Sequence, residues 1–439
     1  MLIRVENASE CINNGGYDEA FRKLYANATT QAVRGRYADA VISFEKLYGG
    51  EREIIILSAP GRTEIGGNHT DHQRGRVLAA AVDLDIVCVA SKNDLGTIRV
   101  TSEGYLQDET ELDSPDPREH EKGKSASLTR GVSAWLKNHG YMTGGMDIYM
   151  TSAIPAGSGL SSSAAYEIAI GSLHSHLYNS GKIPPSQIAR AGQHAENNYF
   201  GKPSGLMDQI ACAAGGFVYI DFQNPDEPAI KPIEFDFASS GFTLCIVDTK
   251  GSHADLTSAY AAIPAEMRAV AALFGKEYLS EVDETGFYQD IKKARAIAGD
   301  RAILRAMHFF AENERVQRQA AALQNSKLDE FLQLVNESGE SSQNCLQNIF
   351  ARPEEQSLSI ALAISKHILK NRSGTVRSTG ACRVHGGGFA GTIQAYIPNS
   401  LLLEYRSEIE RIFGQNTCHA LSIRPLGAYE VGGVQRALY

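Results

Sequence analysis

The sequence predicts a globular chain that mixes helices with strands and folds as two or three domains. Length comes first: 439 residues can bury a sizeable core and exceed what one core usually holds. Next, β-patterned runs such as Ile54 to Leu57, Val77 to Ala90, Met146 to Met150, Phe242 to Asp248 and Thr392 to Ile397 alternate with helix-patterned ones. Composition is that of an ordinary folded protein, 43% hydrophobic and 21% charged, which argues against a disordered or fibrous chain. A net charge of −9 gives no support for binding to nucleic acid or an anionic membrane. Seven cysteines occur singly with no CxxC pair, which points to reduced, mostly buried thiols in a cytosol. MLIRVENASE has no apolar signal region, and the most apolar run, Val77 to Ala90, is broken by Asp83 and Asp85, so it reads as a core strand. A soluble cytoplasmic protein is expected. Nothing fixes its oligomeric state, and a monomer is favoured.

In order along the chain, Asn7 to about Tyr48 reads as helical, with Phe21, Leu24 and Tyr25, then Val41, Phe44 and Tyr48 recurring at helical spacing; Gly49-Gly50 stops it. Ala59-Pro60-Gly61 is expected to break the Ile54 to Leu57 strand into a loop. From Val77 to Val100 two β-rich runs flank the turn Lys92 to Gly96. Asp108 to Lys124 is polar and Pro-broken, hence a surface loop, and Leu128 to His139 is a helix. Ser161 to Leu177 and Gln187 to Tyr199, the latter containing Glu196, read as helices, and Gly201 to Gly205 turns the chain. Pro and Asp cluster near Asn224 to Pro232, where a domain boundary is placed. Ser252 to Ala261 contains Tyr260. A long helical region from Ala265 to about Leu346 follows, with breaks near Gly275 and Gly286 and an ordinary charged face at Glu312 to Arg315. Leu421 to Val431 closes the chain.

Four stretches carry chemistry. The first is Pro155 to Ala164, a Gly/Ser loop between a strand and a helix. Helix N-termini offer unpaired N–H groups and positive dipole, Gly157 and Gly159 allow close approach, and serine hydroxyls can cap the helix, bond phosphate or ligate Mg²⁺. A plain Ser-capped helix remains the bland alternative, and the pattern is neither a P-loop nor a dinucleotide fingerprint. The second stretch, Gly61 to His72, packs a cation, two carboxylates, two imidazoles and an amide onto a Gly-rich loop. Such density suits a polyhydroxylated ligand such as a sugar. A solvated loop, a metal site on His69, Asp71 and His72, and a His69 that ties the loop to a backbone carbonyl are the other readings. The third is Gly205 to Gln209, where Asp208 leads an apolar run either as an N-cap or as a partly desolvated base. The fourth is the run Gly386-Gly387-Gly388-Phe389-Ala390-Gly391 beside a strand, which lets backbone approach a ligand or another loop.

Together, in this order and spacing, these four motifs resemble the galactokinases of the GHMP small-molecule kinase superfamily, from about Ser58 to the C-terminus. The resemblance implies an α+β two-domain fold, a ribosomal protein S5-like N-terminal domain and a ferredoxin-like C-terminal domain. The expected division is a helical extension over 1–50, which is longer than the family suggests, a domain over 51–230 and a second over 231–439. It implies ATP-dependent phosphorylation of the C1 hydroxyl of galactose. Arg62 and Asp208 match the transition-state arginine and the catalytic acid/base. Asn68, His69, Thr70, Asp71, Gly205 and Tyr260 match sugar contacts. Gly157, Ser158, Gly159, Leu160, Ser161, Ser162, Ser163 and Ser102 match nucleotide contacts, and Ser163 and Glu196 match Mg²⁺ ligands. The sequence departs from the family's GRxNxIGEHTDY: Glu64 stands for Asn, Asn68 for Glu and His72 for Tyr. Ala390 and His385 stand for Gly and Thr in the glycine run. Because an amide repels a carboxylate less than Glu does, galacturonate or an N-acetylated galactose stays open as substrate. A non-catalytic galactose/ATP sensor and a metal-dependent hydrolase are the readings from other classes.

Overall fold

A computed structural model describes residues 2–26, 29–155, 157–251, 256–372 and 380–432. Ala156 of the Gly/Ser loop, residues 27–28 of the N-terminal helical stretch, 252–255 ahead of Tyr260 and Thr379 ahead of the glycine run lie outside the described residues.

The sheet that positions the site has nine strands among the described residues. Its spine is Glu53–Gly66 and Arg76–Lys92, paired antiparallel. Met146–Ser152 pairs with the far half of Arg76–Lys92, and Phe217–Asp221 with its near half. Thr97–Ser102 runs parallel to Met146–Ser152, the one parallel pairing in the sheet. Side chains on successive strand residues point to opposite faces, and two cores follow from that alternation. Ile55, Leu57, Cys88, Ala90, Ile148 and Met150 face the helices Ser125–Asn138, Ser162–Tyr178, Pro185–Ala195 and Met207–Ala214. Ile54, Ile56, Val87, Val89 and Tyr149 face the other way and are covered by Val5, Phe21, Tyr37, Val41 and Phe44 of the N-terminal helices. The N-terminal segment is therefore the cover of one sheet face.

A second, four-stranded antiparallel sheet runs Ala381–Val384, Thr392–Pro398, Phe242–Asp248, Cys418–Leu421. Helices Ser357–Arg372 and Leu402–Phe413 pack against it. Between the sheets lies a core of Ile65, Leu78, Phe217, Leu244, Val316, Phe331 and Tyr396.

Several local expectations change. Pro60 and Gly61 do not end the first strand: it runs unbroken to Gly66, with register shifts at Pro60/Arg62 and Glu64/Gly66. A bulge absorbs the missing proline donor. Asp108–Glu111, expected as loop, is a short edge strand paired with Thr97–Val100. Gly286 breaks nothing; it lies inside Glu284–Gln289, its N–H bonded to the capping Asp283. The helical region breaks between Phe274 and Asp283, as expected near Gly275, and again at Asp290, at Gly299 and at Asn325 to Lys327. Ala229–Ile233, within the stretch where a boundary was placed, is a strand paired with Phe217–Asp221 in the large sheet.

One buried charge ties the N-terminal cover to the sheet. Asp85 is fully buried and receives Arg36 Nη1 at 2.5 Å, Arg424 Nη1 at 3.2 Å and the hydroxyls of Ser58 and Tyr25. Burial alone would raise its carboxyl; the two guanidiniums outweigh that and hold it below its ordinary value. Asp85→Ala should destabilise the fold by about 3–5 kcal/mol, the usual cost of leaving buried partners unpaired. Urea unfolding of the purified variant checks this.

Candidate functional site

Arg62 and Asp208 lie 146 positions apart in sequence and meet in space. Arg62 Nε and Nη2 donate to the two Asp208 oxygens, each at 2.6 Å, a side-on bidentate pair. The strand irregularity explains the aim of Arg62. Its backbone N–H leaves the ladder and donates to Leu160 O at 3.1 Å, and its Nη1 donates to Gly159 O. Gly61 must be glycine for this approach, since a Cβ there would stand 2.8 Å from Leu160 O. Asp208 does not cap its helix; Leu206 is the N-cap of Met207–Ala214 and Asp208 sits in the first turn, where its charge suits the helix dipole. Burial pushes the Asp208 carboxyl up, but Arg62, Ser161 Oγ and Lys202 more than reverse this, so it stays ionised at neutral pH. The Asp208 side chain is 26% exposed.

The Gly/Ser loop has left-handed backbone at Gly157, Gly159 and Ser161, with φ of 73°, 72° and 55°. Alternating left-handed residues let N–H groups converge on an anion. Among the described residues no side chain caps the helix Ser162–Tyr178. The serines expected to cap it are used elsewhere: Ser158 Oγ bonds Pro155 O at 2.7 Å, Ser161 bonds Asp208, and Ser163 bonds Glu196 Oε1 at 3.0 Å. The first-turn N–H groups are thus left for a ligand. Ser162 is exposed at the loop's lip, while Leu160 is buried beneath it. Ser102 pairs with Met150 in the parallel strand, and no described hydrogen bond joins it to the loop. Glu196 is buried on a π-helical turn, with Oε2 receiving Gln209 Nε2 at 3.1 Å and Oε1 also receiving Lys202 Nζ at 2.8 Å.

The sugar-like loop proves to be divided. Asn68 is 1% exposed; its Nδ2 donates to Gly386 O at 2.6 Å and Glu64 Oε1 at 3.1 Å, and its Oδ1 accepts from Asn348 at 2.7 Å. Thr70 is fully buried and its hydroxyl serves Gly67 O and Arg76 O. Both residues, expected as sugar contacts, have their side-chain polar atoms committed to the protein. Glu64 pairs with the buried Arg383 at 2.5 Å. The two departures from the family pattern thus touch: carboxylate and amide have changed places across one hydrogen bond.

His69 Nε2 donates to Gly387 O at 3.0 Å, the backbone tie read as one option. Its Nδ1 is buried without a partner among the described residues. Asp71 lies against Gly205, where a Cβ would stand 2.5 Å from Asp71 Oδ2. Tyr260 reaches the glycine run, its OH donating to Gly388 O at 2.8 Å and its ring set edge-on to Phe389.

The site also uses residues that the sequence reading passed over. Glu312, expected on an exposed charged face, is fully buried and accepts Gly67 N at 3.0 Å, Ser338 Oγ at 2.7 Å and Arg315. Burial would raise its carboxyl; Arg315, His308 and Arg383 bring it down to about 2. His308 Nε2 donates to Asn68 O at 3.0 Å, and Gln319 presses on Gly66, where a Cβ would stand 2.0 Å from its Oε1. His308, Glu312, Arg315 and Gln319 recur at spacings of four, three and four on Asp300–Gln324, a polar stripe that the sequence does contain.

The family descriptions "GHMP kinases N terminal domain" and "Galactokinase galactose-binding signature" match residues 127–216 and 42–92. The galactokinase of Streptomyces coelicolor is 34% identical over 300 residues, 67% of this chain and 74% of that protein. The structure of Lactococcus lactis galactokinase complexed with galactose has a TM-score of 0.74 at 22% identity, over 89% of this chain and 98% of that one. Methanococcus jannaschii mevalonate kinase shares the fold more distantly, with a TM-score of 0.60 at 16% identity over 85% and 99% of the two chains.

Asn68→Asp should cost about 2–4 kcal/mol in urea unfolding, since it removes a buried donor and sets a second carboxylate against Glu64. Burial first, and His72 second, push His69 down to about 4 from 6.5, and burial pushes His174 to about 3. The unfolded chain therefore takes up these protons first, and stability should fall as pH drops from 6.5 towards 4. His69→Gln should flatten that slope in melts taken across the window. By both sequence and fold, this chain belongs to the galactokinase family.

Proposed function

We propose that this chain is a sugar kinase that moves the γ-phosphoryl group of ATP to the C1 hydroxyl of galactose, releasing ADP. One observation carries the site assignment: Arg62 grips Asp208 with two hydrogen bonds while its third nitrogen and its backbone N–H bind carbonyls of the Gly/Ser loop. The group that would take the hydroxyl proton is thereby fixed beside the loop suited to hold phosphate. Transfer of this kind rests on positioning and charge neutralisation. Asp208 accepts the C1 hydroxyl proton as the oxygen attacks phosphorus, and Arg62 neutralises charge building on the transferred group. An ionised Asp208 is a weak base, so its larger task is to aim the nucleophile. Asp71, Gly205 and His69 form the sugar side.

Ser163 Oγ and Glu196 Oε1, two hard oxygen donors 3.0 Å apart, fit Mg²⁺, which takes few protein ligands and completes its shell with phosphate oxygens and water. When bound, the ion would neutralise phosphate charge. Two units, one around each sheet, with the cleft between them, a monomeric state and a cytoplasmic location complete the proposal. Among the described residues no helix is long and apolar enough to cross a membrane. The amide of Asn68 faces Gly386, Glu64 and Asn348, so the argument for a galacturonate-type or N-acetylated substrate loses its footing.

A coupled ADP-release assay should show turnover with galactose and none with galacturonate or N-acetylgalactosamine. Asp208→Asn should cut turnover by about 10²–10⁴-fold, the range for losing a positioned proton acceptor, with an unchanged circular dichroism spectrum. Saturable galactose binding without ADP release by the unaltered chain would favour a sensor instead.

A further inference from the structure

The turn between Glu196 and Asp208 carries a cation that the mechanism above does not use. Lys202 Nζ lies 2.8 Å from Glu196 Oε1, the same oxygen that Ser163 Oγ meets at 3.0 Å. The other carboxylate oxygen is occupied by Gln209. The ammonium therefore sits at the pair of oxygens that fits a metal. The Glu196 side chain is 3% exposed, whereas Lys202 is 56% exposed, so the anion is fixed and its cation is on a free stem. Glu167, fully buried, lies next in line, its Oε2 bonded to the same Gln209 Nε2 at 2.9 Å. A second lysine, Lys122, packs on Gly201 at the same rim, where a Cβ would stand 2.8 Å from its Cε.

We propose that Lys202 is a phosphate-binding residue: it neutralises Glu196 while the nucleotide is absent and turns to the phosphate oxygens of ATP when Glu196 is given over to the metal. This rests on the kinase reading and extends it. A metal and an ammonium on the same carboxylate oxygen repel each other, so binding of the metal at Glu196 weakens the hold on Lys202 and favours its turning to a new anion. Its backbone stays tied, Lys202 N bonding Glu196 O at 3.0 Å, which fixes the root of the stem beside Glu196 and Ser163 of the first helical turn after the Gly/Ser loop. A triphosphate there is the strongest anion within reach of the stem, and a lysine acts on it as a mobile point charge.

The test is equilibrium binding, read by calorimetry, of the non-hydrolysable analogue AMP-PNP with Mg²⁺, and of galactose, to the full chain and to Lys202→Met and Lys202→Arg. Lys202→Met should weaken AMP-PNP by about tenfold or more, as expected for one lost charge-assisted hydrogen bond, and leave galactose unchanged. Lys202→Arg should recover most of the loss. Mn²⁺ titrated into the nucleotide-free protein should bind Lys202→Met more tightly, because its competitor is gone. An AMP-PNP affinity within about twofold of the unaltered chain would overturn the proposal. So would equal losses for AMP-PNP and galactose, which would mark Lys202 as structural. A chain that releases no ADP with galactose would sink the kinase reading while leaving this binding comparison intact.

Discussion

The proposed site depends on one buried cation. Arg62 is 7% exposed, and a guanidinium so placed is tolerable only if its donors are satisfied. Asp208 takes two of them and Gly159 O a third. Each partner comes from a different part of the chain, so satisfying one side chain fixes a strand, a loop and a helix relative to each other. The charge that makes Arg62 costly to bury is the same charge that the proposed phosphoryl transfer would use. Asp208 gains as well: held by both oxygens, it is oriented and kept ionised before any substrate arrives.

Much of the fold was legible because strands announce themselves by period and composition. Phe242–Asp248 and the run from Thr392 coincide with observed strands, and the N-terminal helical segment is three helices, Val5–Asn13, Asp18–Leu24 and Thr30–Tyr48, the first two parted by a turn at Asn14 to Tyr17. Errors arose where tertiary contacts override a local breaker. Pro60 reads as a strand end, yet the strand continues because its neighbour Arg62 finds its backbone acceptor outside the sheet, at Leu160. Leu160 lies far along the chain and is not visible to a reading that weighs residues within a window.

The site divides along the same line. Arg62 lies against Asp208, and Ser163 against Glu196, the nearness that the sequence reading asked of them; the roles proposed for them start from that nearness. Asn68 and Thr70 lie in an equally recognisable motif but are drawn inward by distant partners: Asn348, Gly386 and Arg76. A polar residue on a Gly-rich loop has two ways to satisfy itself, ligand or protein, and the sequence does not say which. Glu312 was missed for the converse reason. Its Glu-x-x-Arg spacing is what an exposed helix shows, and only the stripe it shares with His308 and Gln319 marks the face that docks on the loop.

The two halves of the proposed site, the sugar side and the nucleotide side, also differ in how they are held, and the difference follows from what each would have to recognise. The sugar side is anchored from below: Glu312 holds Gly67 N, His308 holds Asn68 O, and Arg383 with Glu64 braces the strand that leads in. A sugar presents several hydroxyls at set angles, so its partners must be fixed in advance if binding is to discriminate. The nucleotide side is left-handed glycine backbone, an uncapped helix start and lysines on free stems. A phosphate chain asks for converging N–H groups and positive charge, and it accepts them over a wider range of geometry. On the proposed reading, selectivity among sugars would therefore be a property of the buried network behind the loop at least as much as of the side chains that touch the ligand.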